Sequence, residues 1–236
     1  MPPRSGSPRR LRTLNRMGWA STQLSPLTEA FIAFAAEASK PVLEIGGAPG
    51  LASAAALVAG AEVIANDLQA DLFTALAPQP RLRIVAGRFP SELHFDAGSL
   101  GAAHASNVFH FLTGVQLEAG LAALFGWLAP GGRLYAQAST PYQAPFAAFV
   151  PEYERRLGAG VKWPGWLAKA SEFASHRQMG QMPRSLHLLD DIVLRRAAEA
   201  AGFAVERAWL YRRPDFPRTL HLDGRETAAL IAVKPL

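Results

Sequence analysis

The stretch that most constrains the fold is Pro41–Gly50, Pro-Val-Leu-Glu-Ile-Gly-Gly-Ala-Pro-Gly, followed by the small-residue run Leu51–Ala59. Val42, Leu43 and Ile45 read as a buried strand, residues of little bulk turn the chain, and an Ala-rich helix follows. Glycines in such a turn let the backbone approach a ligand closely, and the unpaired N–H groups at the start of the helix offer it hydrogen bonds. The arrangement suits a nucleotide-like ligand, although glycine-rich turns also serve as plain connections. Val63–Ala65 forms a second buried run, ending in Asn66-Asp67. Asp67 lies 17 residues after Gly50, near the spacing at which a carboxylate at the tip of the next strand takes ribose hydroxyls.

Together these residues resemble the class I S-adenosylmethionine-dependent methyltransferases. The first motif of that family, an acid, any residue, then Gly-x-Gly-x-Gly, stands here as Glu44-Ile45-Gly46-Gly47-Ala48-Pro49-Gly50, with Ala48 in place of the middle glycine. A dehydrogenase fingerprint, Gly-x-Gly-x-x-Gly, is not met, and a carboxylate at position 44 would face a pyrophosphate badly. The resemblance implies an α/β fold: a doubly wound, seven-stranded Rossmann-like sheet, mostly parallel with an antiparallel edge. It implies S-adenosyl-L-methionine as methyl donor, held at Glu44, Gly46, Gly47, Ala48, Gly50, Asp67, Gly87 and Asn107. Glu44 would favour the donor's ammonium group, directly or through water. The family commonly carries an acid after the third strand to reach the adenine amine. Here Gly87 is followed by Arg88, so the backbone from Gly87 to Phe89 is the expected substitute.

A chain of 236 residues suits one α/β domain with a proper core. No apolar run reaches transmembrane length. The absence of cysteine excludes disulfides, thiol catalysis and cysteine-ligated zinc, and is compatible with the expected cytoplasmic location. The basic start leads to no apolar run of the kind a signal peptide needs. The net charge of +5 comes from Arg4, Arg9, Arg10, Arg12 and Arg16, all of which precede the first acid, Glu29. Residues 1–24 therefore read as a basic, loose tail, from which Leu11, Leu14, Met17 and Trp19 could pack back. Residues 25–236 read as a single, charge-balanced domain, which argues against a groove for RNA.

Along that domain, Ser25-Pro26 signals a helix start, with Leu27, Phe31, Phe34, Ala35 and Ala38 on one face. Strands are predicted at 62–66, 82–87, 100–106, 133–138, 203–211 and 228–233. Helices are predicted around 71–76, through Leu117, Leu121, Leu124 and Leu128, and over 190–201. The alternation of strand and helix is that of a doubly wound sheet. Residues 139–187 are left over as an insert, longer than a plain connection. It holds seven of the 22 aromatic residues, with Met179 and Met182 adding soft apolar surface. Loops at the carboxyl edge of a parallel sheet surround its ligand crevice, so the insert reads as a substrate-pocket wall or lid with Tyr142, Trp163 and Trp166 as acceptor contacts. An oligomer contact or a packed appendage is the other reading.

Methyl transfer from a sulfonium asks mainly that the nucleophile be held in line with the methyl group, with a base only where a proton must leave. The histidines show no metal-ligand spacing, and no metal is expected. The candidate base is His110, just past the fourth strand, where burial would lower its pKa and keep it neutral. His187, Tyr142 and Tyr153 are less favoured. The expected function is methyl transfer from S-adenosylmethionine to an oxygen or nitrogen of a small, apolar or aromatic acceptor. Two alternatives stand beside it. One is an RNA methyltransferase, since Gly46–Gly50 also resembles the loop of the 2′-O-ribose enzymes, although the acid those enzymes carry is absent from Ser106–Phe109. The other is a non-catalytic protein that retains the cofactor fold. The expected partner is a small-molecule acceptor, with no membrane or nucleic acid; self-association is left open.

Overall fold

The computed structural model describes residues 10–12, 19–21, 23–174 and 183–236. Near the N-terminus β1 (Arg10–Arg12) and β2 (Trp19–Ser21) pair antiparallel, a ladder that the predicted loose tail did not include. Leu14, Met17, Met179 and Met182 lie outside the described residues.

Helix α1 (Pro26–Ala35) begins as its sequence dictates: the Ser25 hydroxyl accepts the Thr28 N–H at 3.1 Å, and Pro26 occupies the first turn, where no N–H is needed. Strand β3 (Val42–Ile45) leads through the glycine turn into α2 (Leu51–Val58), and β4 (Val63–Asp67) and β5 (Leu82–Ala86) follow. The helix predicted around 71–76 is absent, and only a 3-10 turn forms at Ala70–Leu72. The glycine turn competes for this segment: the Ala75 N–H donates to the Pro49 carbonyl at 3.0 Å, and Leu76 lies against Gly50. Strand β6 (Leu100–Ser106) matches its predicted bounds. Helix α3 (Gly114–Trp127) starts at a reciprocal capping box between Thr113 and Gln116. Strand β7 (Leu128–Ser139) starts earlier than predicted.

The insert is structured. It carries a 3-10 helix at Ala144–Phe149, helix α4 (Val150–Gly158), and a two-stranded ribbon of β8 (Trp166–Leu167) with β9 (Leu186–His187). Helix α5 (Asp191–Ala200), capped by the Asp190 carboxylate on the Val193 N–H, precedes β10 (Ala204–Tyr211) and β11 (Thr227–Val233).

Seven strands form one sheet in the order β10-β11-β7-β6-β3-β4-β5. The five strands from β7 to β5 run parallel, while β11 is antiparallel to both β7 and β10. This is the expected Rossmann-like methyltransferase fold with its antiparallel edge. The chain passes from β3 outward to β5 and then returns to β6 on the other side of β3. That reversal opens a crevice at the carboxyl ends of β3 and β6.

Two apolar layers cover the sheet. Leu27, Phe31 and Ala35 of α1, with Ala56 and Leu57 of α2, pack on Val42, Val63, Ala102 and Tyr135. On the opposite face Leu117, Leu121 and Leu124 of α3 and Val193 and Leu194 of α5 pack on Leu43, Ile45, Ala103 and Leu134. Alternate residues of each strand feed the two layers. Truncating a leucine such as Leu43 or Leu121 costs about 2–5 kcal/mol. A third cluster, Tyr142, Phe146, Phe149, Tyr153, Leu167 and Leu188, gives the insert its own core. No helix among the described residues is long and apolar enough to cross a membrane.

Candidate functional site

The glycine turn sits at the carboxyl end of β3. Gly46 has φ of 62° and Gly50 has φ of 102°, conformations that exclude most side chains. Contacts tighten the constraint: a β-carbon at Gly46 would meet Val108, and one at Gly50 would meet Leu76. Gly50 opens α2 without any side-chain cap. A carboxylate from the preceding strand supplies one instead. Glu44 accepts the Ser53 N–H at 2.9 Å and also the Ser53 hydroxyl. Its second oxygen lies 3.6 Å from His104 Nδ1. Glu44 is buried, beneath Gly47, so the structure places it under the turn rather than at its open surface.

Asp67, at the tip of β4, is half-buried and closes the turn from the other side. Its carboxylate accepts the Ala48 N–H at 3.1 Å and the Leu68 N–H at 2.7 Å. Asn66, fully buried, donates to the carbonyls of Val85 and Gly87, both at 2.9 Å, and so ties β4 to β5. The Gly87 carbonyl is thereby engaged, and the Arg88 N–H donates to Glu92 at 2.8 Å. Two of the backbone groups expected to receive an adenine edge therefore already have partners.

Asn107 follows β6 with φ of 59°, an uncommon left-handed conformation for a residue other than glycine. Its N–H donates to the Gln137 carbonyl at 2.9 Å, and Val108 then packs on Gly46, bringing the end of β6 against the glycine turn. His110, in the 3-10 turn Phe109–Phe111, is buried with Nδ1 unpartnered, and burial holds its pKa down to about 4.

The insert residues are placed differently. The Trp163 indole lies over Gly114 at the start of α3 and edge-on to His187, with ring centroids 5.0 Å apart. Trp166 meets the same imidazole at 5.9 Å. His187 is fully buried, donates to the Leu112 carbonyl through Nδ1 at 3.1 Å, and has its pKa lowered to about 4 by burial. Tyr142 is buried in the insert core under the Arg225 guanidinium. The structure thus brings Glu44, Gly46, Gly47, Ala48, Gly50, Asp67 and Asn107 together around one crevice. The two tryptophans lie on the side of α3.

The sequence reading missed a buried polar chain under this crevice. The Thr28 hydroxyl lies 3.2 Å from His104 Nε2 and 2.9 Å from the Ser25 hydroxyl, which donates to Gln137 Oε1 at 3.0 Å. Gln137 Nε2 donates to Ser106 at 2.6 Å, and Oε1 also receives the Tyr211 hydroxyl at 2.7 Å. A signal was present: His104 and Gln137 are polar residues set between alanines in strands predicted to be buried, and such positions need partners. Among the described residues no three potential metal ligands lie together.

No protein-family model matches the chain, and no curated protein matches it significantly in sequence. Solved structures share its fold. An S-adenosylmethionine-dependent methyltransferase from Mesorhizobium loti is 18% identical with TM-score 0.62, over 88% of this chain and 96% of that one. A SAM-dependent methyltransferase from Methanosarcina mazei is 17% identical with TM-score 0.65, over 91% and 99%. The Burkholderia thailandensis 1,6-didemethyltoxoflavin-N1-methyltransferase, solved with 1,6-didemethyltoxoflavin and S-adenosylhomocysteine, is 19% identical with TM-score 0.59, over 89% and 79%.

Proposed function

We propose that this chain is an S-adenosylmethionine-dependent methyltransferase acting on a small molecule. The observation that carries the reading is the pairing of a glycine turn, left-handed at Gly46 and Gly50, with the Asp67 carboxylate at the tip of the next strand, 3.1 Å from the Ala48 N–H. A ribose diol would donate hydrogen bonds to that carboxylate, and the backbone of the turn would lie against the amino-acid portion of the donor. When bound, the donor supplies a sulfonium methyl group. The chain's own residues hold and orient: Gly46 and Gly47 admit close approach, Asn107 and Val108 fix the end of β6 beside the turn, and the bulk of Phe109 and Leu112 excludes water.

His110 is the proposed proton acceptor. With a pKa held near 4 by burial, it is neutral at pH 7 but a weak base, so its contribution falls at the low end of the usual general-base range. The insert, residues 139–187, is proposed as a wall of the acceptor region. The charge-balanced domain and the small-molecule acceptor of the Burkholderia protein of like fold favour this over RNA. Titration calorimetry tests the reading: S-adenosylhomocysteine should bind and NAD should not. NAD binding without any binding of S-adenosylhomocysteine ends it.

A further inference from the structure

The polar chain beneath the crevice ends on a hydrogen-bond donor that the cofactor reading does not use. Gln137 is fully buried, and an amide in that position is tolerable only when its groups are paired. Its carbonyl oxygen is filled by two hydroxyl donors, Ser25 at 3.0 Å and Tyr211 at 2.7 Å. That fixes the amide: Nε2 faces Ser106 and donates to it at 2.6 Å. The Ser106 oxygen receives a second, longer contact from Asn107 Nδ2 at 3.4 Å. With its lone pairs taken from within the protein, the Ser106 hydroxyl has its proton left to give.

Ser106 is half-buried at the last position of β6, one residue before Asn107 and two before Val108, which packs on Gly46. The donor is thus at the carboxyl edge of the sheet, beside the turn. Strand register places it on the same face as Glu44, His104 and Gln137, the face that α1 covers. Of the surrounding acids, Glu44 is engaged by Ser53, and Asp67 by the turn and, in the reading above, by the ribose of the methyl donor. Trp163 is packed on the α3 side against Gly114 and His187.

We propose that Ser106 donates a hydrogen bond to the methyl acceptor, that Gln137 is the positioning residue that turns the Ser106 proton outward, and that the acceptor is consequently an oxygen-bearing polar molecule rather than a bare apolar aromatic. This rests on the methyltransferase reading and names the acceptor chemistry for the same crevice.

The test uses the full chain saturated with S-adenosylhomocysteine and a panel of matched probes: benzene, toluene and indole against phenol, catechol and benzamide, read by calorimetry. Methyl transfer from the donor to the members that bind is then measured. Binding is expected only for oxygen-bearing probes. Ser106→Ala should raise KM for the acceptor at least tenfold, Ser106→Thr should restore it to within threefold, and S-adenosylhomocysteine affinity should change less than twofold in both. Gln137→Glu keeps the shape but offers an acceptor where Ser106 needs a donor, so it should match Ser106→Ala. Equal binding of the apolar probes, binding of none of the six, or wild-type KM in Ser106→Ala overturns the proposal. Failure of the wild-type protein to bind S-adenosylhomocysteine is a different result and strikes the methyltransferase reading itself.

Discussion

The carboxylate of Glu44 lies directly beneath Gly47: a β-carbon at position 47 would come within 2.5 Å of the Glu44 carboxyl carbon. The same carboxylate holds the Ser53 N–H in the first turn of α2. Strand, turn and helix are thereby joined through one side chain. Gly47→Ala should push Glu44 off Ser53 and lower S-adenosylhomocysteine affinity at least tenfold, at a stability cost of about 1–3 kcal/mol. Glu44→Gln retains one acceptor oxygen and should cost less than Glu44→Ala, which removes a helix cap worth about 0.5–2 kcal/mol and leaves the buried Ser53 hydroxyl unpaired. Urea denaturation of the three variants ranks them; equal stability of Glu44→Ala and wild type would contradict the capping role.

Asp67 is expected to contribute through hydrogen bonds to a ligand rather than through the fold. Asp67→Ala should weaken S-adenosylhomocysteine binding by about 1.5–3 kcal/mol, the range for hydrogen bonds to a charged group. The unfolding midpoint should move little, because the two backbone N–H groups it accepts lie at the crevice and can turn to water. Calorimetry giving the wild-type affinity would remove Asp67 from the site.

Protonation of two histidines should limit stability in acid. Burial lowers the pKa of both His110 and His187 from 6.5 to about 4. Between those values the unfolded chain binds protons that the folded chain does not, so stability is full above about pH 6.5 and declines as pH falls toward 4. The slope contributed is at most ~1.4 kcal/mol per pH unit for each histidine. Urea titrations at pH 7, 6 and 5 measure it. Loss of either imidazole, in His110→Asn or His187→Asn, should flatten the decline, and an unchanged slope in the double variant would show that other groups carry it.

If His110 takes the acceptor proton, turnover should rise with pH through about 4 and stay flat above pH 5.5. His110→Asn should lower single-turnover rates by ~100-fold while leaving S-adenosylhomocysteine affinity near wild type. A variant that keeps the wild-type rate and pH profile, after correction for the folded fraction, ends this assignment and leaves positioning alone.

Much of this arrangement was legible from residue order. The apolar runs at 42–45, 63–65 and 100–106 and the alternation around them gave the sheet, and the glycine turn with Asp67 gave the crevice. Side-chain destinations were harder to read. Glu44 was expected at a ligand's ammonium group, yet Ser53, nine residues on, competes for it locally. Trp163 read as pocket surface because aromatic composition cannot say which face of α3 a ring will cover. The helix expected at 71–76 was lost to contacts with Pro49 and Gly50, more than twenty residues away in sequence. Gln137 and His104 show in the sequence as polar residues that need partners, but the partners themselves, on α1 and β10, are visible only in the fold.

The Ser25 hydroxyl has one proton and gives it to Gln137, while its oxygen holds the Thr28 N–H that starts α1. Helix ends ordinarily fray independently of the sheet they cover, with opening free energies close to zero. Here fraying of the first turn of α1 withdraws one of the two hydroxyls that hold the Gln137 carbonyl and leaves Tyr211 to hold it alone. The helix end and the crevice wall are therefore linked through one buried amide, and amide exchange at Thr28 becomes a gauge of how often that amide loses one of its two holds.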